Sequence, residues 1–376
     1  MTSRRSRPAA FAGLVLASLV LAACATPRAQ PPAAPFPLPP APAPVPAPSP
    51  QPLRRLSLSE LPGWISEDYA AAFAAYRDNC QAARDPALAE VCRRAKSAGP
   101  LGPQAARDFL QANFVAEPEP GQGVLTGYFA PVYAARRTPQ GEFTAPLRPK
   151  PADLQVVGGA AFQLQPDHTL VPYPARKSIE ASPAVEALAW LRPEELFFLQ
   201  VQGSGVLVFE DGRRLKALYA ANNGQPFAGI ANPMRDRGLL PRDQTSAEAI
   251  RAWLAAHRGP EADALMQLNP RYAFFRLAPD DGQPPVGAAN LPLPPGRAVA
   301  VDPAFHTMGE LLWLDAEAPI LAGAFPRYRR LVTALDTGGA IKGEVRADLY
   351  IGQGDAAGTE AGRVRHALRL YRLVPR

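Results

Sequence analysis

Three cysteines and four histidines are spread over 376 residues, a scarcity that excludes several chemistries at once. His168, His257, His306 and His366 stand singly with no ligand spacing around them, so no metal centre is expected. No basic run is interleaved with aromatics, which argues against nucleic acid as a partner. The glycine-rich VQGSG segment lacks the GK[ST] ending of a phosphate loop, so it has neither the lysine nor the metal-binding hydroxyl. No internal repeat is visible. The apolar run from Ala9 to Ala23 falls short of the roughly 20 residues a membrane-spanning helix needs.

What is present at the N-terminus is a targeting segment. Arg4, Arg5 and Arg7 precede that apolar run, which ends in small residues at Cys24, the layout of a secretory signal peptide over residues 1–23. Leu21-Ala22-Ala23-Cys24 resembles a bacterial lipobox, which makes Cys24 the lipid anchor; the following Ala25 and Thr26 resemble outer-membrane lipoproteins. Loss of the three arginines lowers the net charge from +6 to about +3, compatible with an anionic polymer as partner. Between Pro27 and Pro52 lie 13 of the 45 prolines, so residues 24–52 read as a semi-rigid polyproline spacer. At about 3.1 Å per residue it would reach roughly 70 to 80 Å from the anchor. Cys80 and Cys92 then remain as an even pair in an oxidising compartment, with a disulfide as the default reading and two free thiols as the alternative.

The remainder is long enough for two domains or one large one. Residues 66–114 read as helical, with Ser66 or Asp68 as a cap, Pro103 in a first turn, and Ala106, Phe109 and Leu110 on one face. GVLTGYFAPVY and FTAPLRP read as strands. ELFFLQVQGSGVLVFE and RRLKALYAANNG read as two apolar runs meeting at a two-residue hairpin turn, Asp211-Gly212. Thr245 to Glu248 reads as a capping box before a helix, and Pro260 opens another that Asn269-Pro270 stops. From Tyr272 onward short strands dominate, with Asp355 as the cap of one helix. The fold class is mainly β with flanking helices.

Near the C-terminus, DTGGAIKGEVRADLYIGQGD crowds aspartates among glycines. Turns account for Asp336 and Asp355. Asp348 is different, because it sits within the alternating strand pattern RADLYI, where a carboxylate requires a reason.

LTGYFAPVY, FTAPLRPKP, LFFLQVQGSG, NPRYAFFR, DTGGAIKG and RADLYIGQGD, in this order over most of residues 120–372, resemble the membrane-bound lytic murein transglycosylase A family. AVDPAFHTMGELLWLD with DTGGAIKG and RADLYIG also resembles the three-aspartate domain, a six-stranded double-psi β-barrel whose acids are Asp302, Asp336 and Asp348. This chain departs from the family at Phe129-Ala130, where a Tyr-Glu pair is commoner, and at Tyr350-Ile351. The resemblance implies a double-psi barrel with N-terminal helices from residues 53–132 and 275–376, its three-aspartate part at about 286–372. It also implies a smaller β-barrel inserted at 133–274, with a groove between the two. The implied activity is non-hydrolytic cleavage of the β-1,4 bond between N-acetylmuramic acid and N-acetylglucosamine, leaving 1,6-anhydro ends and needing no cofactor. Peptidoglycan strands and, through the lipid, the membrane are the implied partners of a monomer on the periplasmic side of the outer membrane, within reach of a cell-wall synthesis complex.

In that setting Asp348 is the expected acid and base, with Asp336 raising its pKa. Thr126, Gln202 and Ser204 are candidate hydrogen-bonding groups for sugar, Tyr128 a platform for a pyranose face, and Gly203 and Gly205 allow close backbone approach. Asp302 is a further binding candidate, and Lys342 a candidate for a lactyl or peptide carboxylate. Two other classes stay open: a non-catalytic peptidoglycan-binding lipoprotein, and a hydrolase pairing Asp348 with Asp336 or Asp355.

Overall fold

The computed structural model describes residues 54–184, 186–241, 246–318 and 325–376; Cys24, the signal segment and the proline-rich spacer lie outside them. Helices come first: α1 (Tyr69–Asn79), α2 (Pro86–Ala98) and α3 (Pro103–Asn113). Asp68, of the two cap candidates, caps α1 by accepting from Ala71 N at 3.1 Å, and proline stands in the first turn of α2 and α3, where a missing N–H costs nothing. Cys80 in the turn after α1 is disulfide-bonded to Cys92 in α2, with Cα atoms 5.4 Å apart. These helices bury Trp64, Phe73, Tyr76 and Leu110 against the outside of a barrel, where Trp313 meets Trp64 with ring centroids 5.3 Å apart. A buried carboxylate clasps the layers together, since Glu67 accepts from Arg297 Nη2 at 2.9 Å and from Leu331 N at 2.7 Å.

The strands follow in two sets. β1 (Phe114–Pro118) and β2 (Gly123–Ala130) lead into β3 (Val132–Ala134), β4 (Ala145–Leu147), a three-stranded ribbon of β5 (Leu154–Val157), β6 (Ala160–Leu164) and β7 (Leu170–Pro172), and α4 (Arg176–Ala181). Next come β8 (Ala189–Leu191), α5 (Pro193–Gln202), β9 (Ser204–Val208) and β10 (Arg214–Asn222). After α6 (Ala231–Asp236), α7 (Ala247–Ala256) and α8 (Pro260–Met266) the chain runs through β11 (Ala273–Pro279), β12 (Ala298–Val301), β13 (Leu311–Glu317) and β14 (Arg327–Thr337). It ends with β15 (Arg346–Gln353), α9 (Gly354–Ala361) and β16 (Arg365–Pro375).

One set closes into a six-stranded barrel in the order β16-β13-β14-β12-β15-β2, sealed where β16 pairs antiparallel with β2 from Arg365↔Thr126 to Leu368↔Gly123. Its β12–β14 and β15–β2 pairs are parallel. Leu125, Val299, Leu314, Val332 and Leu349 fill the interior, as expected of a small barrel whose alternate side chains point inward.

The second set is a four-stranded sheet, β11-β10-β9-β3, joined to the β4–β8 pair by two isolated bridges. Arg136↔Trp190 links the end of β3 to β8, and Pro149↔Phe275 links the end of β4 to β11, so this sheet too curls shut. Tyr133, Leu147, Leu191, Leu207 and Phe275 form its core, into which α5 contributes Leu196 and Leu199. Contacts join both barrels and the N-terminal helices into one compact unit, Pro52–Arg376.

Four local expectations change. The ELFFLQVQ run is helix α5, not strand, because its leucines and phenylalanines plug a barrel and are apolar on several sides. The β9–β10 loop holds three residues, 210–212: Phe209 N donates to Arg213 O at 2.9 Å and Gly212 takes φ 77°. Ser246 caps α7, its Oγ accepting from Ala249 N at 3.1 Å, while Thr245 lies outside the described residues. Asp355 lies inside the first turn of α9, whose N-cap is Gln353.

Candidate active site

A groove of about 640 Å³ runs between the two barrels, and its lining includes Thr126, Tyr128, Gln202, Asp336 and Asp348. β15 places Asp348 by pairing on both sides, with Thr126 of β2 and with Ala300 of β12. Ala300 and Asp348 both line the groove. Thr126 Oγ1 donates to Asp348 Oδ1 and itself accepts from Arg346 Nη2 at 2.8 Å. Burial pushes the Asp348 carboxyl up to about 6; the Thr126 hydrogen bond and the Arg346 charge oppose that rise, and the Asp336 charge adds to it. A group with that value still carries a proton in an appreciable fraction of molecules near neutrality.

Asp336, the penultimate residue of β14, has both carboxylate oxygens hydrogen-bonded. Its Oδ2 accepts from Tyr128 OH at 2.8 Å, and its Oδ1 accepts from Ala288 N and Thr337 N, each at 2.9 Å. Burial raises its pKa, and those three donors work against the rise. Tyr128 is therefore committed to Asp336 through its hydroxyl, while its ring leans on Tyr350 with centroids 5.3 Å apart. Burial and the neighbouring Asp336 hold the Tyr128 phenol well above its ordinary value.

The opposite wall comes from the end of α5. Gly203 terminates that helix with φ 85° and nothing crowding its missing Cβ, so Gln202 and Ser204 flank a sharp turn at the groove. Gln202 Oε1 accepts from Phe129 N at 3.2 Å, and its NH2 donates to no other described residue. Gly205 has another reason to be glycine: a Cβ there would lie 2.7 Å from Leu199 Cδ1 and 2.8 Å from Pro131 O. Its role is the packing of α5 on β9, not approach to a ligand.

Thus Thr126, Tyr128, Gln202, Gly203, Ser204, Asp336 and Asp348 share one cavity, and Asp302 does not. The buried Asp302 carboxylate accepts from Gly343 N at 2.9 Å, Ala304 N at 3.2 Å and Lys342 Nζ at 3.3 Å, so it pins the 341–343 turn. The Gly343 N–H, above all, holds its pKa below the usual carboxylate value. Lys342 is occupied by the same contact. Sequence reading passed over Arg346, whose partner lies 220 positions away, and over Arg271 and Arg276, which bring positive charge to the groove from the second barrel.

Comparisons with known proteins agree with this arrangement. Residues 124–276 match the MltA specific insert domain, and residues 297–374 match the 3D domain. Over 259 residues the chain is 35% identical to membrane-bound lytic murein transglycosylase A of Escherichia coli K12; the match covers 67% of this chain and 65% of that relative, just under two thirds of its length. The structure of a membrane-bound lytic murein transglycosylase from Agrobacterium tumefaciens superposes with a TM-score of 0.75 at 31% identity, covering 86% of this chain and 97% of the other. E. coli MltA with bound chitohexaose superposes with a TM-score of 0.63 at 28% identity, covering 82% and 89%. No helix among the described residues is long and apolar enough to cross a membrane. Two closed barrels, a shared groove lined by Asp348 and Asp336, and matches along both barrels place this chain in the membrane-bound lytic murein transglycosylase A family.

Proposed function

We propose that this chain is a peptidoglycan lytic transglycosylase that uses Asp348 as its only proton-transfer group. The observation that carries the reading is that, of the two carboxylates lining the groove, Asp336 has both oxygens engaged by donors while Asp348 has one oxygen held by Thr126 and its pKa raised to about 6. Asp348 protonates the glycosidic oxygen between N-acetylmuramic acid and N-acetylglucosamine as the bond to C1 breaks. The C6 hydroxyl of the same muramic residue attacks C1, and the Asp348 carboxylate takes its proton. The acid is regenerated, a 1,6-anhydro ring closes, and no water is added. An intramolecular nucleophile supplies the high effective molarity that otherwise requires a bound, activated water.

Gln202 and Ser204 bind sugar hydroxyls or N-acetyl amides, and Asp336 tunes the acid through its charge. The chitohexaose held by the E. coli relative supports a saccharide ligand. We read the chain as a first barrel from residues 53–132 and 275–376, with residues 133–274 inserted as the second. Its setting is the periplasmic side of the outer membrane, held through a lipid on Cys24, as a monomer acting in wall turnover and meeting the wall-synthesis machinery.

The hydrolase alternative requires a second carboxylate free to attack or to activate water. Asp336 lies in the groove, but both its oxygens are engaged by donors. Mass analysis of digested peptidoglycan separates the readings. Products lighter by one water than the hydrolytic ones support the transglycosylase, reducing ends with water added support the hydrolase, and intact strands support a binding protein.

A further inference from the structure

Arg346 stands two residues before Asp348 on β15 and so shares its face of the strand. Its guanidinium is half-buried and anchored by donation to the Ala347 carbonyl and, at 3.4 Å, to Val124 O. Nη2 donates to Thr126 Oγ1 at 2.8 Å, and Thr126 in turn contacts Asp348 Oδ1.

The polarity of this chain of contacts is forced. A guanidinium has donors and no acceptor, and it stays charged at any pH an enzyme meets. Thr126 Oγ1 must therefore accept from Arg346. The hydroxyl owns one hydrogen, which is left to point at Asp348 Oδ1. An Asp348 proton on that same oxygen would put two hydrogens on one contact. No described residue donates to or accepts from Oδ2.

We propose that Arg346 is a positioning residue which, by fixing the direction of the Thr126 hydroxyl, keeps the transferable proton of Asp348 on Oδ2. The inference rests on the reading of Asp348 as the acid and adds which oxygen of it reacts. The sugar would then meet Oδ2, while Oδ1 never leaves Thr126. When Asp348 ionises after giving up its proton, the same Thr126 donor and the Arg346 charge stabilise the carboxylate. A lysine at this position would donate equally well, and a hydrocarbon would free the threonine to rotate.

The charged and titratable groups facing Asp348 are Arg346 on its own strand, Asp336 from β14 and Tyr128 from β2; β12 presents only Ala300 beside it. Arg365 from β16 faces Arg346 and repels it. Arg346 and the Thr126 hydroxyl both favour the ionised acid. Loss of either must then raise the Asp348 titration midpoint even as it slows the reaction, a combination that mere loosening of the strand would not give.

The test is carried out on the full-length protein with Arg346→Met, Arg346→Lys, Thr126→Val and the Arg346→Met/Thr126→Val double variant. The Asp348 carboxyl is titrated by 13C NMR without substrate, and kcat and KM for anhydro-product release are followed against pH. Arg346→Met is expected to raise the midpoint and lower kcat about ten-fold to a hundred-fold at constant KM, the range expected of a misplaced reacting group. Arg346→Lys should recover most of the rate. The double variant should be no slower than Thr126→Val. An unchanged midpoint in Arg346→Met, or losses that multiply in the double variant, would overturn the relay. If Arg346→Met does not fold, Arg346→Leu, which also lacks a donor, carries the same comparison. A wild-type protein that releases no anhydro product, yet shows the expected midpoint shifts, would sink the activity reading and leave the relay standing.

Discussion

The two barrels use the same curvature to different ends. The one holding Asp348 is sealed by a continuous ladder of four residue pairs between β16 and β2. The other is sealed by single bridges at Arg136↔Trp190 and Pro149↔Phe275. Asp348, Asp336, Thr126 and Tyr128 all stand on strands of the first, each fixed by a neighbour across the ladder or the groove. Gln202 and Ser204 of the second sit at a helix-to-strand turn around Gly203, where one side-chain bond to Phe129 N holds Gln202. Proton transfer demands placement within a fraction of an ångström, whereas sugar binding tolerates adjustment. The division of rigidity follows that demand.

The contrast is broken most severely at Asp348. Asp348→Asn keeps the side-chain shape and removes the titrating proton, so turnover should fall by at least about a hundred-fold and up to ten-thousand-fold, with saccharide affinity intact. Near-normal anhydromuropeptide release from the folded variant would remove Asp348 from its role. On the other wall, Gln202→Ala should act on binding: KM rising about three-fold to ten-fold with kcat nearly unchanged, the scale of one hydrogen bond. A fall in kcat alone would show that the second barrel also places reacting atoms.

Asp336→Asn should slow the reaction only partially. Because the Asp336 charge raises the Asp348 pKa, its removal should move the alkaline limb of the rate profile to lower pH, and an upward movement would contradict the assigned coupling. The smallest effect concerns stability. The Asp348 pKa is raised in the folded state to about 6, above its ordinary 3.8, so the native protein is penalised progressively as pH rises between those values. Asp348→Asn should accordingly melt at a higher temperature than the parent above about pH 6, and the gain should vanish below about pH 4. Melting curves across that range check the sign.

Much of the first barrel is readable in the sequence. RAVAV, ELLWLD, RRLVTAL, RADLYI and HALRLYRLV are short runs rich in apolar residues, the last two alternating as half-buried strands do, and each is a strand. Asp348 stands out because a carboxylate interrupts such a pattern. In the second barrel, the apolar residues of α5 face both the barrel core and the α6–α8 layer, erasing the one-sided stripe by which a helix is known. Arg346 was illegible for a different reason. Its meaning lies in a hydroxyl on another strand, and no local pattern encodes a contact across 220 positions. Asp302 looked like a site residue because it shares a motif with Asp336 and Asp348, while its hydrogen bonds to a turn exist only in three dimensions.

The pairing of Thr126 with Asp348 spans 222 positions, and the chain between them includes the whole second barrel. Contacts near in sequence, such as the β9–β10 hairpin, close early, whereas those that join distant segments wait on loop closure. β2 must remain without its β15 and β16 neighbours until nearly the entire polypeptide has emerged. A chain truncated before β15 would hold Gln202 and Ser204 and lack Asp348 altogether. Placement of the Asp348 carboxylate against Thr126 is thereby set among the last steps of folding.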